Sequence, residues 1–132
     1  MKGRRSVDVS VILPHKGPLK LLLPCLDALR SQSFDSTARE IIIVLNQTSP
    51  DGKDLELGNN EKLILEPRGY SYSARNAGIR EAVGDVLAFT DSDAIPDKHW
   101  LSKGLEALEP GTAFVAGNVV VPRLHQKASS AE

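Results

Sequence analysis

An α/β fold with a mostly parallel sheet is predicted by three observations along this 132-residue chain. Short β-branched runs alternate with stretches of helical periodicity. One of the runs, Glu40 to Leu45, is continuously apolar after its first residue, as in strands covered on both faces. Turn-forming Pro, Gly and Asp residues separate the segments, and parallel neighbours joined through helices imply right-handed crossovers.

The elements follow in order. Val7, Val9 and Val11 alternate with Asp8 and Ser10, and Ile12 and Leu13 carry this first strand to Pro14. From Pro18, residues Leu19, Leu22, Leu26 and Leu29 recur at three and four, which predicts an amphipathic helix whose first turns are kinked or delayed by Pro24. Glu40 to Leu45 is a central parallel strand. Asn46 to Asn60, with Pro50, Asp51-Gly52 and Gly58-Asn59, is a long polar loop, and Lys62 to Leu65 a short third strand. Ser73 to Val83 is expected as a helix turning Ala74, Ala77, Ile79 and Val83 inward, with Gly84 as its C-terminal cap. Val86 to Thr90 forms a fourth strand. Asp97 caps a helix carrying Trp100, Leu101, Leu105 and Leu108, stopped by Pro110-Gly111. Ala113 to Val121 is a fifth strand with a bulge at Gly117, and Gln126 to Glu132 a small, polar, mobile tail. Cys25 and Trp100 fall on apolar stripes and are expected in the core.

Composition narrows the function classes. Sixteen basic against 17 acidic residues leave a net charge of -1, which provides no field to attract nucleic acid or an anionic membrane. The single cysteine, Cys25, excludes an internal disulfide and suits a reducing compartment. The basic start, Met1 to Arg5, is followed by Asp8, Pro14 and His15 rather than an apolar stretch, so no signal peptide is read and a cytoplasmic location is expected. The leucine-rich run from Leu19 to Leu29 is far shorter than the ~20 residues that span a bilayer. Without export, the sequon Asn46-Gln47-Thr48 is accidental.

In parallel sheets ligands bind outside the carboxyl ends of the strands, here Pro14 to Gly17, Asn46 to Gly52 and Asp91 to Asp93. Asp91-Ser92-Asp93 is the most informative of these. Two hard carboxylates one residue apart suit Mg2+ or Mn2+, cations that keep water and take further ligands from phosphates. Taken alone, such a triplet is more often a solvated turn. Arg75 and Asn76 lie at a helix start, where unpaired amides favour anions. At its strand end His15 either touches a ribose or phosphate or, the favoured reading, is a solvated loop histidine. His15, His99 and His125 lack zinc spacing, Ser71 and Ser73 lack nucleophile-elbow glycines, and there is no GxGxxG or Walker lysine.

The order and spacing of VSVILP (Val9 to Pro14), EIIIV (Glu40 to Val44), SARNAGI (Ser73 to Ile79), Gly84-Asp85 and LAFTDSD (Leu87 to Asp93), then Pro96, Trp100 and Leu101, resemble the nucleotide-binding half of a family 2 glycosyltransferase with the Rossmann-like GT-A fold. The resemblance runs from about Val7 to Val121. It implies inverting transfer of a sugar from a nucleoside diphosphate sugar to an acceptor hydroxyl, assisted by a divalent cation, Mg2+ or Mn2+. By matching position Asp93 would be the main metal ligand, and Asp91 would contact metal or ribose. Pro14, His15, Asn46, Arg75 and Asp91 make up the expected nucleotide-binding set. Arg75 would approach base or phosphate and Asn76 would anchor the loop, with Arg68 and Tyr70 as weaker candidates.

Where the family commonly shows V-D-D-G-S-x-D, this chain has Val44-Leu45-Asn46-Gln47-Thr48-Ser49-Pro50-Asp51. Asn46 thus replaces an acidic base-binding residue, and Asp51-Gly52 reads as a turn. The expected organisation is a nucleotide-sugar-binding subdomain over residues 1–125 and a flexible tail over 126–132. The sheet is expected to be truncated at the C-terminus, to expose apolar surface that drives self-association, and to leave the general base outside this chain. A non-catalytic nucleotide-binding or assembly module is the alternative reading, and a nucleotidyltransferase is a lesser one.

Overall fold

A computed structural model describes residues 7–47 and 55–108. It contains β1 (Val9–His15), α1 (Leu23–Arg30), β2 (Arg39–Leu45), β3 (Glu61–Leu65), α2 (Ser71–Glu81), β4 (Val86–Phe89) and α3 (Trp100–Ala107). The four strands form one sheet in the order β3-β2-β1-β4, and every pairing is parallel. This is the predicted α/β architecture. The predicted strand Ala113 to Val121, its bulge at Gly117, the turn at Asp51-Gly52 and the tail lie outside the described residues.

Alternation along β1 and β2 sends side chains to two cores. Val9, Val11 and Leu13 of β1 and Ile41, Ile43 and Leu45 of β2 face α1, where they pack on Leu22, Cys25, Leu26 and Leu29, with Leu101 of α3 closing the cluster. Trp100 packs partly buried against it. Ile12, Ile42 and Val44 face α2 and meet Ala74 and Ala77. Pro24 acts as expected: a single 3-10 turn, Leu19–Leu21, precedes α1, and Pro24 sits in its first turn, where its missing N–H costs nothing. Asp97 is not the N-cap of α3, a place taken by His99, but holds the turn that leads into the helix. Its Oδ2 accepts the His99 N–H at 2.9 Å and its carbonyl the Trp100 N–H at 2.9 Å.

The α2 region departs from expectation. The helix runs from Ser71 to Glu81, and Ile79 and Val83 are exposed, at 40% and 65%. Its inner stripe is Ala74, Ala77 and Gly78, residues small enough to bring the helix backbone onto β1. A Cβ on Gly78 would lie 2.6 Å from Ile12 Cγ2. Nor is Gly84 a left-handed cap, since Ala82 ends the helix in extended conformation. Gly84 is instead pressed on β1. Its N–H donates to Ser10 Oγ at 2.8 Å, and a Cβ there would meet the Ser10 nitrogen at 2.7 Å. Ser10 in turn donates to the buried Glu40 carboxylate, which also accepts the Val83 N–H at 2.7 Å.

β4 is an edge of the described sheet. It leaves Leu87 and Phe89 about two-fifths exposed, on the side opposite Val86 and Ala88. Among the described residues no helix is long and apolar enough to cross a membrane.

Candidate active site

The carboxyl ends of β1, β2 and β4 and the first turns of α2 surround an open cleft of about 470 Å³. The expected nucleotide-binding and metal residues all line it: Pro14 and His15 from β1, Asn46 after β2, Arg75 from α2, and Asp91 and Asp93 after β4. These positions are far apart in the chain. Parallel strand registry brings them together, because β1 pairs with β2 on one side and β4 on the other.

His15 is not the solvated loop histidine favoured from sequence. It is the last residue of β1, 5% exposed, and both ring nitrogens are engaged. Nε2 lies 2.8 Å from the Pro18 carbonyl, which can only accept, so this nitrogen carries the proton. Nδ1 is hydrogen-bonded to Ser92 Oγ, also at 2.8 Å. The ring therefore braces the Asp91-Ser92-Asp93 loop against the chain leaving β1.

Asn46 is buried at 6% exposure. Its backbone N–H continues the ladder to the His15 carbonyl at 2.7 Å, and Nδ2 donates to the Tyr70 carbonyl at 3.2 Å. Its Oδ1 is buried and has no donor among the described residues. A buried acceptor without a partner is costly and marks a place where a ligand can supply the missing N–H.

Arg75 and Asp91 approach each other at 3.6 Å, with side chains 42% and 70% exposed. So loose and solvated a pair contributes little to stability, and either partner is available to a ligand. Asp93 is exposed at the same mouth. Beneath the loop, Cys25 directs its thiol at the Asp91 carbonyl at 3.5 Å. Burial, and to a lesser extent the negative potential of Asp93 and Asp91, push this thiol up to about 12. Among the described residues no group of three or more His, Cys, Asp or Glu side chains converges as a metal cage. Asp91 and Asp93, a pair of carboxylates, are too few for a closed zinc site.

Sequence reasoning held Lys16 and Ser92 within its ligand-binding segments without giving them a role and did not single out Leu21 or Gly69; all four line the cleft. Lys16 adds a second cation beside Arg75; the signal for it was its place directly after a strand end in the ligand-binding layer. Arg68 is paired with Glu66 at 2.7 Å and does not line the cleft. Tyr70 serves through its carbonyl, while its ring stacks on Tyr72 with centroids 5.2 Å apart. Asn76 is exposed on α2.

The family model of glycosyl transferase family 2 matches residues 10–128. The chain belongs to glycosyl transferase family 2. It is 34% identical over 118 residues to the glycosyltransferase AglE of Haloferax volcanii, covering 84% of this chain and 39% of that protein. The amylovoran biosynthesis glycosyltransferase AmsB of Erwinia amylovora is 26% identical over 113 residues, covering 80% and 37%. The chain thus spans about two-fifths of the length of these curated family 2 relatives. Residues 1-349 of TarS from S. aureus share the fold with a TM-score of 0.66 at 25% identity, covering 76% of this chain and 32% of that one. A structure of the same TarS fragment in complex with UDP gives a TM-score of 0.61 at 24% identity, covering 76% and 31%. The predicted GT-A half-domain is thereby identified by family and by fold.

Proposed function

We propose that this chain is the donor-binding part of an enzyme that moves a sugar from a nucleoside diphosphate sugar to an acceptor hydroxyl with inversion. One observation supports it above the others: a single cleft holds an unpartnered buried acceptor, two cations and two exposed carboxylates. Each suits a different part of the donor. Asn46 Oδ1 accepts a base N–H, and Lys16 and Arg75 face the diphosphate. Asp91 and Asp93 would hold Mg2+ or Mn2+.

Charge explains why both kinds of group are needed. Lys16 and Arg75 are formally cancelled by Asp91 and Asp93, so the protein alone offers a diphosphate no net positive charge. A divalent cation on the carboxylates reverses that balance and, when bound, stabilises the diphosphate as it leaves. The acceptor hydroxyl attacks the anomeric carbon from the side opposite the diphosphate and gives up its proton to a base. Asp91 and Asp93 are the only carboxylates among the described residues lining the cleft, and both serve the donor side.

The test is thermal stabilisation by UDP and other nucleoside diphosphates, each with and without Mn2+. At a hundred times Kd a ligand bound only by the folded chain adds about 2.7 kcal/mol. The midpoint is expected to rise only when nucleotide and Mn2+ are both present, and the D91N/D93N double variant is expected to lose that rise. No rise, or one that persists in the double variant, overturns the proposal.

A further inference from the structure

The opposite end of the sheet carries a second cleft, of about 460 Å³. Arg30, Ser36, Arg39, Glu56, Asn59 and Glu61 contribute to its lining. Arg39 opens β2, whose seven residues place it roughly 20 Å from the donor end of the strand. Its side chain is the anomaly here. Arg39 is 5% exposed and, among the described residues, makes no side-chain hydrogen bond and buries Nη1 without a partner.

The nearby carboxylate gives it no hydrogen bond and offsets its burial only in part. Glu61 is committed to Arg30, accepting from Nη2 at 2.7 Å and from Nε at 3.0 Å, and it also takes the Gly58 N–H at 2.7 Å. Burial lowers the Arg39 pKa, and the neighbouring Arg30 charge lowers it further, with Glu61 opposing. A guanidinium holds five donors in a planar fork that matches the two oxygens of a carboxylate or phosphate. Leaving Nη1 of that fork buried without a hydrogen bond is destabilising, so folding alone does not account for it.

We propose that this cleft is an oxyanion site in which Arg39 takes one phosphate or carboxylate group, with Ser36 and Asn59 as further donors at its lining. Glu56 and Glu61 repel additional negative charge, so the site suits a singly anchored small molecule and disfavours a polyanion such as nucleic acid. It is independent of the donor cleft.

Two titrations at constant ionic strength test it, one with inorganic phosphate and one with succinate, each followed by thermal midpoint and by amide NMR shifts around Ser36, Arg39 and Asn59. At least one anion is expected to raise the midpoint and move those amides in the wild type and in the K16A/R75A variant, which lacks the donor-cleft cations. A response to phosphate alone identifies a phosphorylated ligand, to succinate alone a carboxylate, and to both a general oxyanion site. R39M is expected to lose the response while melting at or above the wild type in the absence of anion, because it removes a buried charge whose Nη1 has no hydrogen bond. Should R39M not fold, R39K keeps the charge without the fork and is expected to bind at least fivefold more weakly. The proposal is overturned by no response to either anion, by an equal response in R39M or R39K, or by a response lost in K16A/R75A instead.

Discussion

Asn46 shows how a single side chain can hold the site together and still keep a group in reserve. Its NH2 is spent on the Tyr70 carbonyl, which ties the carboxyl end of β2 to the residue preceding α2, while Oδ1 stays unpaired. An aspartate could not make the first bond, since an ionised carboxylate only accepts. The replacement of the family's acidic residue is thus matched by a local contact that needs an amide. We expect N46L, close to isosteric, to weaken nucleoside diphosphate binding about five- to tenfold, the loss of a hydrogen bond worth about 1–1.5 kcal/mol, with little change in midpoint because a buried orphan acceptor is also removed. Calorimetric titration of both proteins checks this, and equal affinities would remove Asn46 from base recognition. His15 carries a complementary lesson. A strand-end position marked it for the cleft, yet only the partners of both its ring nitrogens identify it as a brace for the Asp91-to-Asp93 loop.

At the scale of elements, the four described strands were legible to within a residue or two because β-branched runs and burial on both faces leave little choice of conformation. The inner face of α2 was legible in part. Ala74 and Ala77 face inward as expected, but Ile79 and Val83 do not, because close approach to β1 places Gly78 beside the two alanines. Hydropathy ranks side chains by transfer energy and carries no information on interaxial distance, so Ile79 and Val83 were misread. Gly84 was misread likewise: a glycine after a helix suggests a left-handed cap, whereas here it admits the Ser10 backbone. We expect G84A to destabilise the fold by about 1–3 kcal/mol through overpacking against backbone that cannot move aside, read from urea unfolding. A cost within error would show that the α2–β4 turn shifts freely.

For the molecule as a whole, the contact of Arg30 with Glu61 joins the end of α1 to the start of β3 and so clamps the sheet's outer strand to the helical layer. Burial by itself would raise the Glu61 pKa, but hydrogen bonds from Arg30 and the Gly58 amide outweigh it, and the carboxyl titrates below its ordinary range. A carboxyl depressed in the folded state contributes stability that is complete above its unfolded value, about 4.3, and is lost as pH falls through the folded value. The wild type is therefore expected to lose stability on acidification below about pH 4. E61Q should start lower at pH 7, by about 1–3 kcal/mol, and lack that part of the acid-induced loss. Unfolding midpoints from pH 3 to 7 decide it, and parallel profiles for the two proteins would assign the acid sensitivity elsewhere.

The order of strands and helices, the parallel sheet and the identity of the donor-end residues were written in the one-dimensional pattern, because periodicity and chain order are local properties and parallel sheets bind ligands at a fixed end. Tertiary structure alone decided which groups are spoken for. It engaged both nitrogens of His15 and left Oδ1 of Asn46 and Nη1 of Arg39 without partners among the described residues. Hydrogen bonding is directional and short-ranged, so whether a polar group is satisfied depends on distances that appear only once remote segments have packed.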